Sequence, residues 1–456
     1  MLNSGESIIR KPEANLSWTN NTNLIILAFS LVFYARIFTS LTPAPSVLVH
    51  AHFVIVPLIF GIVVATSPIK NPQQTKLVKT LLWGLFIFLL AILASAIWNQ
   101  AGLINAVASF MMLGEPIMFL TAIVCIPMSL RSFKRIQNWF GGSVLINFLL
   151  AAVQKPLIDS GKLYAEGFNG TDGCGGVFFV SGAGNYVSAS VSIAFALYFL
   201  INGKKFPLWF RIAAILAASW QLLFSDSKQV VFAYGVAWLL LIVMNFKNLG
   251  KTIRLLLGII ISGAAFFWCV QNLEAFSAFT AWARLDLYVP GGDAWFTKFY
   301  SVKAILDKFD SPANWLFGLG PGHTVSRLGA WFMQDYDWIL NPLGATSTSI
   351  GVKSRDFIDS FWLAYSSSMF SPIFSWGGIW GDLGLVGLSA YGYLGYLTWR
   401  YFGLDNSLKI TLLTMLVLGF IFTQLEEPGY MLTVALLLGL AWQKRRLQSA
   451  LQLKEI

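Results

Sequence analysis

The stretch from Asn314 to Arg327, NWLFGLGPGHTVSR, gathers residue types suited to holding an anion and moving a proton. Gly318, Gly320 and Gly322 surround Pro321, and a backbone without β-carbons can approach a ligand closely and turn its amides toward phosphate oxygens. His323 follows at once, an imidazole that titrates near neutral pH and can accept the proton of an attacking hydroxyl. The plainer alternative is a turn histidine bonded to its own loop. Arg327 closes the stretch with a fixed cation. Asp382, at the start of a later apolar run, is placed to orient a basic group or serve as base, or simply to complement a helix dipole.

The rest of the chain is apolar. Hydrophobic residues make up 56% of it, charged residues only 11%, and the mean hydropathy is +0.67. That balance describes a polytopic membrane protein and not a soluble globular one. A formal charge of +10 would suit nucleic acid only if the basic residues shared one polar domain; here they sit in short loops between apolar runs, so no nucleic-acid partner is expected. Three cysteines and three histidines offer neither a disulfide framework nor a metal-ligand spacing, so neither metal nor cofactor is expected. The first apolar run lacks a cleavage pattern and reads as a membrane anchor.

Apolar segments of spanning length fall at about 23–42, 46–66, 77–98, 104–126, 136–154, 182–201, 208–224, 229–246, 253–271, 378–399, 409–425 and 428–443. The expected fold is therefore all-α, an integral membrane bundle of about 12 transmembrane helices. Basic residues collect in alternate loops: Arg10 and Lys11, Lys70 to Lys79, Arg131 to Arg135, Lys204 to Arg211, Lys247 to Arg254, Arg400 and Lys409, then Lys444 to Lys454. By the positive-inside rule these loops and both termini are cytoplasmic. The chain then divides into helices one to nine (1–271), an extracytoplasmic loop domain (272–377), and helices ten to twelve with a basic tail (378–456).

Within that loop, Trp295 to Phe309 places Trp295, Phe299, Val302, Leu306 and Phe309 at helical spacing, an amphipathic helix expected on the membrane surface or on the bundle. The loop's many tryptophans favour an ordered cap. A second, glycine-rich loop at 155–181 is expected to pack against it.

Three stretches together resemble the O-antigen ligase and O-antigen polymerase superfamily of bacterial envelope enzymes. They are GCGGVFFVSGAGNYVSASVSIAFALYFL (173–200), FSDSKQVVFAYGVAWLLL (224–241), and NWLFGLGPGH followed by WGDLGLVGL (380–388). In the second, Lys228 stands where the family usually has arginine, and no His-Asn pair shortly precedes Trp380 as it does in many ligases. The likeness is accordingly nearer to a polymerase or a more distant transferase than to the ligase.

The resemblance implies a metal-independent, inverting glycosyltransferase of the bacterial cytoplasmic membrane, working at its outer face. Its donor would be an undecaprenyl-diphosphate-linked glycan and its acceptor another glycan or lipid-linked saccharide. Such chemistry needs the leaving diphosphate neutralised by fixed cations, for which Lys228, Arg284 and Arg327 are candidates, with the glycine amides beside them. His323, Arg284 and Asp382 are the expected catalytic residues. Asp335-Tyr336-Asp337 has the Asp-x-Asp form of metal-dependent glycosyltransferases, which the resemblance argues against. Arg36 and Glu115 lie within apolar runs and would form a buried pair or line a lipid-carrier groove, and His50 and His52 open the second run. The rival reading is a transporter or flippase of the same lipid-linked glycan, though no two similar halves are visible. An envelope scaffold is a third.

Overall fold

The computed structural model describes residues 16–69, 71–163, 173–179, 183–245, 249–273, 285–366 and 368–452. Among these residues every regular element is helical and no strand is present. The principal helices are α1 (Leu16–Phe33), α2 (Ala35–Leu41), α3 (His52–Thr66), α4 (Pro72–Trp98), α5 (Leu103–Cys125), α6 (Leu130–Asp159), α7 (Gly184–Asn202), α8 (Leu208–Phe224), α9 (Lys228–Met244) and α10 (Leu249–Asn272). They continue as α11 (Asp293–Leu306), α12 (Pro312–Phe317), α13 (Ser349–Ser360), α14 (Ser375–Phe402), α15 (Asn406–Ile421) and α16 (Pro428–Gln452).

Each apolar segment read from the sequence falls on a helix, but their lengths are uneven. Five helices are long and apolar enough to cross a membrane, or six if the bent α1–α2 pair is one span. Several others fall short for visible reasons: α8, α9 and α15 are shorter, α14 is interrupted at Gly384, and α16 carries Lys444, Arg445 and Arg446 in its second half. These are the proportions of an α-helical membrane protein.

α5 and α16 are the most deeply enclosed elements, packed on each other, with α3 and α4 against α5 and α7 against α16. The open carbonyls where α5 ends are met by long polar side chains: Gln443 donates to Ile123 O (2.7 Å) and Ile126 O (2.9 Å), and Gln74 to Cys125 O (3.2 Å). A buried helix end left bare would cost more than these amides lose by being buried.

Residues 285–370 fold over the end of the bundle where α4 turns into α5 and α15 into α16. Ser95 of α4 reaches Phe317 O at 2.6 Å, and Gly102 N donates to Thr346 Oγ1 at 3.1 Å. α11 coincides with the amphipathic stretch, yet its inward face is Ala294, Thr297, Ser301 and Ile305, while Trp295, Phe299 and Leu306 point outward and are exposed. Of the two placements open in the sequence, the helix's own contacts are with the bundle, where Lys298 donates to Ile421 O at the end of α15. The glycine-rich segment around 176–178 packs on α6 and α7, with Gln154 donating to Gly176 O (2.9 Å) and accepting from Gly176 N (2.7 Å).

Candidate functional site

The glycine turn and Asp382 are brought together, and glycine is what allows it. α14 breaks at Gly384, whose φ of 64° and ψ of −164° lie outside the helical region. A β-carbon there would stand 2.4 Å from Leu316 O, and one on Gly318 would stand 2.5 Å from the Asp382 carbonyl carbon. The break frees two carbonyls of α14, which the turn then satisfies: Leu319 N donates to Gly381 O at 2.8 Å and Gly320 N to Asp382 O at 3.0 Å. Ser95 Oγ lies 2.8 Å from the same Asp382 O.

The Asp382 carboxylate fills the concave side of the turn. Gly322 N (2.8 Å) and Ser326 Oγ (2.7 Å) donate to Oδ2, and Thr324 N (2.8 Å) and Thr324 Oγ1 (2.6 Å) donate to Oδ1. The amides expected to face phosphate are therefore occupied: that of Gly318 by Asn314 O at 2.8 Å, that of Gly320 by Asp382 O, and that of Gly322 by an internal anion. Asp382 is the eighth residue beyond Phe374, the N-cap of α14, and so lies outside that helix's first turn.

His323 is held on both sides of its ring. Nδ1 donates to Leu319 O at 2.8 Å, which leaves Nε2 to accept the Thr346 hydroxyl at 2.8 Å. It is a buried turn histidine bonded to its own loop. Asn105 ties the same loops together, donating to Pro321 O (2.9 Å) and Thr346 O (2.8 Å) and accepting from Thr346 N (3.0 Å).

Arg327 joins the turn to the connection between α15 and α16. Its amide donates to Glu426 Oε2 at 2.7 Å, its guanidinium donates to Glu426 O at 2.9 Å, and the same group forms an ion pair with Glu427. Among the described residues Glu426 Oε1 is buried without a hydrogen-bond partner, beside a cavity of about 10 Å³, one water in size, that Ser109, Ser326 and Asp382 also line. Burial, reinforced by the Asp382 charge, pushes the Glu426 carboxyl up to about 8. Arg327 is followed immediately by a π-helical turn, Leu328–Phe332, a distortion found often at functional sites.

The other expected residues lie apart or elsewhere. Lys228 opens α9 and pairs with Asp226 at 3.0 Å. Arg284 lies outside the described residues. Asp335 pairs with Arg355 at 2.6 Å, and among the described residues no group of three His, Cys, Asp or Glu side chains converges to hold a metal. The anticipated Arg36–Glu115 pair is not formed: Glu115 bonds His52 Nδ1 at 2.7 Å, because α3 passes closer to α5 than α2 does. Arg36 faces a different carboxylate, within electrostatic reach of Glu427, Arg327 and Tyr336.

Glu426 and Glu427 were not marked out by the sequence: an acidic pair ahead of Pro428 between two apolar runs is too brief a signal to rank without its partner, Arg327, 99 residues from Glu426. Lys298 is a second such case. Its ammonium donates to Ser371 O at 2.9 Å and to Ile421 O at the end of α15, over the Phe374 ring, and burial pulls it down to about 7.

Compared with known proteins, the chain matches no family model and no curated protein.

Proposed function

We propose that this protein is an integral-membrane glycosyltransferase that moves or polymerises glycan carried on undecaprenyl diphosphate. The observation that carries the reading is the Arg327–Glu426–Glu427 cluster, a fixed cation and two buried carboxylates joined to an ordered turn at one end of an apolar bundle. In the reaction an acceptor hydroxyl attacks the anomeric carbon as its bond to the diphosphate oxygen breaks. The leaving diphosphate gains negative charge and the hydroxyl loses its proton. Arg327 supplies positive charge for the first, with Arg284 and Lys228 as further candidates for that duty. Glu426, poised near neutral pH with one oxygen unpartnered, suits the second better than His323, whose two nitrogens are engaged. Asp382 acts here as a positioning residue, holding the turn that carries Arg327.

The reading includes a bundle of about 12 spans with both termini cytoplasmic and the 272–377 segment outside, in a bacterial cytoplasmic membrane. It is supported by the alternation of basic loops and by the position of residues 285–370 over a single end of the bundle. The protein reconstituted with a polyprenyl-diphosphate glycan discriminates among the readings. Glycan chains lengthened or moved to an acceptor are the expected product. Translocation without new linkages would make it a flippase, and neither outcome would leave a scaffold. In the same assay Arg327→Ala is expected to lower turnover by about 100-fold.

A further inference from the structure

Four separate parts of the chain meet at the small cavity beside Glu426. Ser109 comes from α5, Ser326 from the glycine turn, Asp382 from α14, and Glu426 from the connection between α15 and α16. The cavity encloses about 10 Å³, room for one water, and apolar side chains such as Met112 and Leu113 close the rest of its wall. The two carboxyl groups that border it are not equivalent. Asp382 faces donors, two amides and two hydroxyls, an environment that suits the anion. Glu426 is 3% exposed and accepts from the Arg327 amide through Oε2 at 2.7 Å, while among the described residues its Oε1 has no hydrogen-bond partner. Two like charges around one enclosed space oppose each other, so the proton resides on Glu426. Its hydroxyl then needs an acceptor, since a buried donor without one costs stability.

We propose that the cavity binds one water, which accepts from the Glu426 carboxyl and donates to the Ser109 hydroxyl, and that Asp382 across the same cavity holds the proton on Glu426. When Glu426 ionises, the water turns and donates to Oε1 instead of accepting from it. The other groups facing Glu426 do not cancel this. Arg327 and the Ser375 hydroxyl favour its charged form, but the Arg327 guanidinium is taken up by Glu427, and Tyr391 within electrostatic reach brings no positive charge. A carboxyl that titrates near neutral pH is basic enough to take the proton of an acceptor hydroxyl and acidic enough to release it between turnovers. The inference rests on the reading of Glu426 as the base, and it adds what holds and sets its proton: Ser109 through the water, and Asp382 as a positioning charge.

The test is infrared difference spectroscopy of the full-length protein in phosphatidylcholine nanodiscs, titrated with alkali in the absence of donor and acceptor. A protonated-carboxyl band, assigned by its absence in Glu426→Gln, is expected to bleach with a midpoint at about pH 8, together with a water O–H band that shifts in heavy-oxygen water. Ser109→Val, whose side chain fills the cavity, is expected to lose the water band and keep the carboxyl band. Asp382→Asn is expected to lower the midpoint by about one pH unit and to move the acid limb of the pH profile for glycan transfer down by the same amount. A merely structural role for Asp382 would lower turnover and move neither. The proposal is overturned by the absence of a water band, by a water band that persists in Ser109→Val, or by a midpoint unmoved in Asp382→Asn. Bleaching that requires sodium would also overturn it, making the cavity a cation site. If Asp382→Asn does not fold, the comparison with Ser109→Val decides, since Ser109 lies on α5 and outside the turn. Transfer that survives without either band removes this proton store and leaves a transferase with another base, whereas both bands as expected without any transfer keep the store and remove the transferase.

Discussion

The knot around Asp382 and the bent limb around Arg36 each place one charged side chain among loops and helix ends, and they treat the charge in opposite ways. Asp382 accepts from two amides and two hydroxyls, and the amides of Leu319 and Gly320 are met by α14 carbonyls. Arg36 has no hydrogen-bond partner among the described residues, and His50 beside it has a bare nitrogen. A buried polar group that is fully bonded contributes to the fold, while one left unbonded costs stability unless something outside the chain completes it. The difference separates a charge that the chain itself fully bonds from one that it leaves without a hydrogen bond among the described residues, and substitutions should separate them in the same way.

The largest effect belongs to the knot. Asp382→Ala leaves four buried donors without an acceptor, and the expected loss of stability is about 4 kcal/mol or more. Denaturant unfolding in detergent measures it, and a wild-type midpoint would show that the carboxylate does not hold the turn. Gly384→Ala attacks the same element from the backbone. With φ at 64° and Leu316 O 2.4 Å from the new β-carbon, it should cost about 2 kcal/mol or more. Arg36→Ala, by contrast, should leave the midpoint close to wild type, since the side chain gives up no hydrogen bond.

Glu426 tests the border between the two regions through pH. Its folded-state value, raised to about 8 from 4.5, means that the folded protein holds a proton which the unfolded chain releases. Stability from this group is complete below about pH 4.5 and is lost as pH rises through about 8, on the order of 5 kcal/mol across the window. Glu426→Gln should flatten that decline in thermal midpoint, and an unaltered slope would mean that another group carries it. Lys298, pulled down to about 7, has the opposite sign: its contribution is present above the unfolded value near 10.5 and lost as pH falls through 7. Lys298→Met should abolish that second slope, visible as a thermal midpoint that no longer climbs on the alkaline side.

Much of this architecture was legible in the sequence wherever the signal was local. The apolar segments fall on helices, and the Trp295 to Phe309 stretch falls on α11, because hydrophobic length and 3.6-residue periodicity are properties of neighbouring residues. Partner choice is not local. Glu115 could be read as needing a basic partner, but whether α2 or α3 brought it depended on packing, and the answer was His52. The bend at Tyr34 carries no proline or glycine to announce it. From the sequence the glycine turn reads as a phosphate cradle; in the fold the anion that meets its Gly322 amide is Asp382, 60 residues further along the same chain, a contact that no local pattern announces.

The smallest expected effect concerns Asp335, the first acid of the Asp-Tyr-Asp sequence. Its carboxylate is engaged by Arg355 at 2.6 Å, and with side-chain exposures of 30% and 46% for Arg355 and Asp335 the pair lies at the surface. Exposed pairs contribute little once solvent screening and side-chain ordering are counted, so Asp335→Asn should shift stability by about 0.5 kcal/mol or less. Its effect on glycan transfer is the more telling measurement. If Arg327 neutralises the diphosphate and Glu426 takes the proton, transfer in Asp335→Asn should match wild type. A loss of turnover at unchanged stability would instead mean that this aspartate meets the donor, and it would draw the site away from the turn and toward the face of the cap that carries Arg355 and Trp331.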